Sequence, residues 1–490
     1  MKSRAAPAGK TVPPQPAQPA PLYESRRKIY PKRVSGFYRN IKWAVMIVTL
    51  GIYYFLPWLR WDRGLGAPDQ AVLLDIPNRR FYFFMIEIWP QEIYFLTGLL
   101  ILAALVLFLV TALFGRVWCG YACPQTVWTD LFIWVERIVQ GDRNKRMKLD
   151  RSRWTAEKIV KKSLTHAIWL FIAVATGGAW VFYYGDAPTL ARDLLIGEGP
   201  TAAYVAIAAF TFTTYSLGGL MREQVCTYMC PWPRIQGAMF DEHTFLVSYK
   251  ADRGEPRGPH KHGESWEGRG DCVDCHACVN VCPAGIDIRD GPQLECIQCA
   301  LCIDACDEIM DKVGRPRGLI DYETIDRPRA RAAGEPERTA FLRPRILIYL
   351  ALIGLVCAIM AAGLLTRSDL EFHVEADRNP LFVRLSDGAI RNGYSLNVVN
   401  KEHEERRFAI VLDGLAQASI ARPLAVDLPD REIAVPASAT RSFKIYVTLE
   451  PAQLDDPAFA DGAQDFAVTL QEEGSRIAAS EQAVFRSPVR

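Results

Sequence analysis

The chain has 490 residues, half of them apolar, with a formal net charge of +2 and thirteen cysteines. So nearly neutral a total offers no bulk attraction for nucleic acid, and the length allows three or four units of ordinary domain size. The apolar residues cluster into long charge-free runs, which argues against a purely soluble chain.

Residues 1–40 carry nine Lys/Arg against one acidic residue, and "APAGKTVPPQPAQPAP" lies far ahead of any apolar run. This segment reads as a basic, disordered tail and not as a signal peptide. Five charge-free runs follow, over 43–59, 93–114, 167–184, 202–220 and 346–365. Each approaches the ~20 residues a helix needs to cross the hydrocarbon core. Trp43, Trp58, Tyr183 and Tyr184 suit the interfacial belt. Lys/Arg number four in 60–91, eleven in 115–163 and one in 185–201. Cytoplasmic loops retain positive charge, so the N-terminus, 115–163 and 221–344 are expected inside. Segments 60–91, 185–201 and everything after Leu365 are then outside. Residues 41–245 form a four-span membrane domain and 346–365 a fifth span.

Cysteine pairs stand at two span ends. "RVWCGYACPQTVW" holds Cys119 and Cys123 before Pro124, and "REQVCTYMCPWP" holds Cys226 and Cys230 before Pro231. Residues four apart on a helix have Cβ atoms about 5–6 Å apart, wide for a disulfide and reachable for a metal between two sulfurs. Proline favours the first helical position, so Cys123 and Cys230 are expected near N-caps, where the helix dipole favours the thiolate. Spans two and four both run inward, so the four thiols are expected to converge at the cytoplasmic face. Soft sulfur points to Cu(I), and Met229 could add a thioether. Four small buried apolar residues are the plainer alternative. The stretch after Cys123 places Val127, Trp128, Leu131, Trp134, Val135 and Ile138 on one helical face. Thr126, Thr129, Asp130, Glu136 and Arg137 take the other. Such a helix suits the inner interface; packing against the spans is the alternative.

Residues 246–265 are polar and rich in turn formers and read as a linker leading into a cysteine-rich cytoplasmic domain, 246–345 with its linkers. "CVDCHACVNVCP" places Cys272, Cys275, Cys278 and Cys282, and "CIQCALCIDACD" repeats the spacing with Cys296, Cys299, Cys302 and Cys306. This is the two-cluster bacterial ferredoxin run, in which the fourth cysteine of each run ligates the other run's cluster. The first site is then Cys272, Cys275, Cys278 and Cys306; the second is Cys296, Cys299, Cys302 and Cys282. Zinc sites use cysteine pairs rather than triplets, so two 4Fe–4S clusters are expected. Asp307 stands where proline is usual, and His276 is either a tuning neighbour or a plain loop residue. "DRPRARAAGEPER" reads as a second linker.

Residues 366–490 change to short alternating runs such as "YSLNVVN", "RFAIVL" and "SFKIYVTL", separated by turn formers. They suggest an exported β-sandwich of immunoglobulin type. Twelve cysteines fall on or near the expected cytoplasmic side, Cys357 lies in the fifth run and none follows Leu365. That is the reverse of a disulfide scaffold. No nucleotide-binding motif occurs, and His166 is the only histidine at a span edge.

Taken with "YYFLPWLRWD", "RFYFFMIEIWPQE", "GRVWCGYACPQTVWTD" and "CTYMCPWPRIQ", these motifs make the chain resemble the cytochrome c oxidase accessory proteins of the CcoG/FixG/RdxA family. The resemblance runs from about Tyr30 to the end. It implies a bacterial inner-membrane iron–sulfur protein that reduces Cu(II) to Cu(I) for the copper centre of cbb-type oxidases. It further implies partnership with oxidase assembly factors and copper chaperones or transporters, and Cys119, Cys123, Cys226 and Cys230 as the copper-facing thiols. An electron relay between the quinol pool and a partner reductase, without a copper role, is the alternative.

Overall fold

The computed structural model describes residues 28–64, 67–261, 263–336, 340–415, 418–421, 432–454, 459, 461–472 and 479–488. Most of the expected tail, 1–27, lies outside them. Among the described residues five helices are long and apolar enough to cross a membrane: Phe37–Trp58, Pro90–Phe114, Ala156–Val181, Thr201–Met221 and Pro344–Leu365. The first starts inside the segment expected to be tail. Asp304 lies across its N-terminus and accepts from the Arg39 backbone N–H at 2.8 Å and that of Tyr38 at 3.2 Å. This satisfies two of the donors every helix start leaves open. The third starts eleven residues before its charge-free run, because Lys158 turns back onto the Asp150 and Ser152 carbonyls.

Spans three and four approach at Gly177, where an added Cβ would stand 2.8 Å from the Ile207 carbonyl oxygen. Small residues allow such contact between membrane helices. The fourth span is α-helical over Thr201–Thr213 and widens to a π-helix over Thr214–Met221. There Gly218 and Gly219 lie against Phe132 and Trp169.

The helix Pro124–Gln140 packs against spans three and four, the alternative to an interfacial position, and buries residues of both sides, Val127, Phe132, Ile133 and Val135 together with polar ones. Thr126, Asp130, Glu136 and Gln140 are buried, while Trp134 and Ile138 are exposed. The inward carboxylates have partners. Arg39 reaches Asp130 at 2.8 Å, and Glu136 sits between Arg146 at 2.8 Å and Arg222 at 2.7 Å. Trp134 and Ile138 are left for the apolar surroundings.

At the opposite end of the bundle, β1 (Val72–Asp75), β2 (Arg80–Phe83) and β3 (Ile86–Ile88) form an antiparallel sheet. At the thiol end, β4 (Phe245–Tyr249) pairs antiparallel with β5 (Ile320–Thr324) and closes the cysteine-rich domain. The linker expected from 246 therefore begins later: Leu246 and Val247 are buried in β4. The second expected linker also contains a helix, Arg327–Ala333, ended by Gly334 at φ 67°, the usual left-handed stop.

The C-terminal unit is a sandwich of two antiparallel sheets. One orders β10 (Ser419–Ala421), β12 (Ala439–Leu449), β8 (Ile390–Asn400) and β6 (Leu370–Ala376), with β7 (Val383–Arg384) also on β8. The other orders β11 (Glu432–Val435), β9 (Arg406–Asp413), β13 (Ala463–Glu472) and β14 (Ala479–Arg486). Alternate residues of each strand fill one core around Tyr394, Leu396, Phe408, Ile445, Val468 and Phe485. All thirteen cysteines are free thiols, so packing alone holds the sandwich. Its anchor is Glu92 on the second span, which meets Arg367 at 2.8 Å and Lys401 at 2.7 Å.

Candidate functional site: three thiol quartets at one end of the bundle

The two ferredoxin runs fold alike. Asp274 and His276 in the first, and Gln298 and Ala300 in the second, all take φ between 53° and 58°. Four non-glycine residues in the left-handed region, at matching offsets from Cys272 and Cys296, are uncommon and costly. They curl each loop so that its three cysteines turn toward one point. Short helices then start, Ala277–Val281 and Leu301–Lys312, and carry the fourth cysteine of each run across to the other loop. One cavity is lined by Cys272, Cys275, Cys278 and Cys306. A second is lined by Cys282, Cys296, Cys299 and Cys302, with Cys278 on the wall between them.

These cavities fit iron–sulfur clusters. Val247, Ile288, Ile303, Met310 and Leu319 give them an apolar shell. Burial pushes the Cys278 and Cys296 thiols up to about 11 and those of Cys282 and Cys306 to about 12, and neighbouring thiolates add to the shift. Buried thiolates lacking a cation are unfavourable, and bound iron reverses that balance. Arg289 closes the first loop, bonding Asp274 and Asp287 at 2.6 Å each and the His276 ring at 2.8 Å. His276 is thus a half-exposed member of an ion-pair network.

The first of the membrane thiols, Cys119, lies next to the second quartet. In the five-residue helix Val117–Tyr121, Gly120 faces the ferredoxin loop so closely that a Cβ would stand 2.7 Å from the Ile297 carbonyl oxygen. Tyr121 donates to the Cys299 carbonyl at 3.1 Å, and the Arg116 N–H donates to Gln298 Oε1 at 2.9 Å. Cys119 packs with Cys299, Ile297 and Leu301. Its Sγ donates to Oε1 of the fully buried Gln236, six residues beyond Cys230, at 3.1 Å. Gln125, two residues after Cys123, donates to the Leu217 and Arg222 carbonyls at the foot of the fourth span.

The four thiols are within electrostatic reach of one another: Cys123 and Cys230 act on Cys119, and all three act on Cys226. Burial pushes both Cys119 and Cys226 up to about 11. Pro124 does start a helix with Cys123 at its N-cap. Cys230 departs from the expectation. It ends a π-turn, Val225–Met229, and Pro231 rather than Cys230 caps the next helix, Trp232–Ala238. Two prolines, at 231 and 233, delay that helix by one residue. Met229 is exposed. Among the described residues no three His, Cys, Asp or Glu side chains stand close enough to hold one metal ion. His166 bonds Tyr215 at 2.8 Å between spans three and four.

Sequence reading missed Arg116, Gly120, Gln236, Arg289 and Asp304. Only Arg116 and Gly120 had a signal, their place beside the first thiol pair.

Comparison with known proteins agrees with this layout. Residues 221–325 match a family model for a 4Fe–4S dicluster domain, 96–145 a 4Fe–4S binding domain and 360–488 the IG-like fold at the C-terminus of FixG. The chain is 50% identical to nitrogen fixation protein FixG of Rhizobium meliloti, over 96% of this chain and 94% of that one. It is 55% identical to protein RdxB of Cereibacter sphaeroides (88% and 90% covered) and 50% identical to protein RdxA of the same organism (93% and 95% covered). With half its residues shared over nearly the whole length of such relatives, the chain belongs to the FixG/RdxA family of membrane-associated iron–sulfur redox proteins.

Proposed function

We propose that this protein is a cupric reductase of the bacterial inner membrane, supplying Cu(I) for the copper centre of cbb-type cytochrome c oxidase. In this reading the N-terminus and the cysteine-rich domain face the cytoplasm and the sandwich faces the periplasm, as the Lys/Arg bias favours. Cys272, Cys275, Cys278 and Cys306 hold one 4Fe–4S cluster, and Cys296, Cys299, Cys302 and Cys282 the other. When bound, such clusters supply single electrons, which is what Cu(II) needs to become Cu(I). The observation carrying the reading is the contact of Gly120 and Tyr121 with the Ile297–Cys299 backbone. It sets Cys119 against the second quartet, and in this reading Cys119, Cys123, Cys226 and Cys230 form a soft-donor face suited to copper. At the other extreme Cys275 is exposed and offers an entry point for an electron donor. Oxidase assembly factors and copper chaperones or transporters are the partners this chemistry serves.

The test uses anaerobically purified full-length protein, chemically reduced and mixed with Cu(II) and a Cu(I)-specific chelator. Wild type is expected to form Cu(I) in proportion to the electrons loaded. Cys226→Ser with Cys230→Ser should slow formation severalfold while the ferredoxin spectra persist. Unchanged rates in that variant would remove the membrane thiols from the reaction. No Cu(I) from wild type would remove copper.

A further inference from the structure

Three stretches share the pattern Cys-x-x-x-Cys-Pro: 119–124, 226–231 and, inside the ferredoxin block, 278–283. Their backbones are alike at the second cysteine, although the turn before it is α-helical in the first and third and a π-turn in the second. In each a five-residue helical turn carries the first cysteine: Val117–Tyr121, Val225–Met229 and Ala277–Val281. The second cysteine follows in extended conformation, at φ/ψ of −60°/128° for Cys123, −81°/121° for Cys230 and −66°/121° for Cys282. In the ferredoxin domain this turn presents thiols to clusters. The membrane pairs repeat it twice.

A 4Fe–4S cluster takes four thiolates. The stretch matched by the 4Fe–4S binding model, 96–145, contains only Cys119 and Cys123. The fold supplies the other two. Gln236 and Gln125 tie the two motifs together, and Trp232 packs into the apolar group around Cys119. The Arg116 charge acts on both Cys119 and Cys226 and offsets the negative charge of a four-thiolate core.

We propose that Cys119, Cys123, Cys226 and Cys230 together ligate a third iron–sulfur cluster, at the foot of spans two and four beside Cys299. This rests on the reading of the four thiols as one copper-facing redox face. What changes is that they ligate iron, and Cu(II) meets them only as a passing electron acceptor.

Iron and acid-labile sulfide are counted in the anaerobically purified full-length protein. About twelve of each per chain are expected, against about eight for the ferredoxin domain alone. Cys226→Ser with Cys230→Ser should lower both by about four and leave the ferredoxin signals in electron paramagnetic resonance. Eight irons in wild type, or a count the double variant does not change, overturns the third cluster. Should the variant fold poorly, iodoacetamide on wild type decides. Exposed Cys230 is expected to resist alkylation in iron-loaded protein and to react once a chelator has removed the iron; alkylation at full loading overturns the site. Cu(II) turnover on the same wild-type sample is an independent readout. Turnover with eight irons keeps the copper reading and sinks the third cluster, and twelve irons without turnover does the converse.

Discussion

Gly120→Ala separates contact from chemistry. A glycine in a helix interior normally gains about 1 kcal/mol on becoming alanine. Here the new methyl would meet backbone, 2.7 Å from the Ile297 oxygen and 3.0 Å from Cys299 N and Cα. No rotamer change relieves a backbone clash, so the short helix and the ferredoxin loop must part by roughly 0.7 Å to reach ordinary van der Waals distance. Overpacking of this kind costs about 1–3 kcal/mol, which cancels or outweighs the propensity gain. The separation also stretches the Tyr121–Cys299 and Arg116–Gln298 hydrogen bonds. Gly51→Ala is the control, since nothing lies within 4 Å of its added methyl. Cluster content, thermal unfolding in detergent and single-turnover Cu(I) formation are measured for both. Gly120→Ala is expected to keep its iron, to unfold no later than wild type and to form Cu(I) severalfold more slowly; Gly51→Ala should be neutral or slightly stabilised with unchanged turnover. Gly120→Ala turning over at the wild-type rate with full iron would refute the idea that this contact couples the two thiol sites.

Glu136→Gln leaves Arg146 and Arg222 buried without their shared carboxylate. Breaking such a group typically costs about 3–5 kcal/mol, so early thermal unfolding is expected, and an unchanged midpoint would show the group is hydrated. Burial alone would raise the Glu136 carboxyl, but Arg222 and Arg146 outweigh it and hold it below the usual range; Lys162, Lys28 and Tyr30 do the same for Asp150. For depressed carboxyls the stabilisation is complete above the unfolded value, about 4, and is lost as pH falls through the folded values. Melting scans should therefore be flat near neutrality and fall steeply in acid, with Glu136→Gln showing a shallower fall. Glu92→Ala removes the carboxylate that Arg367 and Lys401 share, leaving Lys401 on Glu371 and Arg367 on the Glu87 carbonyl. It should free the sandwich, seen as faster proteolysis near 366–369 with iron content unchanged; equal proteolysis would place the anchor elsewhere.

What was legible in the sequence was what is local. Ligand spacing is set within a dozen residues, so both cluster runs could be read directly, and span-length apolar runs are equally self-contained. Strand β4 was not legible, because two buried residues, Leu246 and Val247, sit ahead of a longer turn-rich stretch that dominates the composition. Helix Pro124–Gln140 packs against the spans, the second of the two readings its sequence left open, and buries polar residues for a physical reason. In an apolar solvent the polar face is the one to bury, provided partners exist, and Arg39, Arg146 and Arg222 come from distant segments. Gln236 and Asp304 were invisible likewise, since each acts on a group more than a hundred residues away.

That distance bears on how the thiol end is held. Asp304 of the ferredoxin domain caps the first span, Arg39 of that span pairs with Asp130 after the first thiol pair, and Arg222 before the second thiol pair shares Glu136 with Arg146. Buried ion pairs add little net stability compared with apolar packing, but a missing partner is expensive. Such a chain of contacts therefore penalises every arrangement in which one element shifts. Apolar side chains alone would let the spans slide in lipid, because lipid solvates them as well as protein does. Fixed positions for Cys119 and Cys226 relative to Cys299 come from these charges, and weakening one link should disturb thiol geometry before it unfolds the bundle.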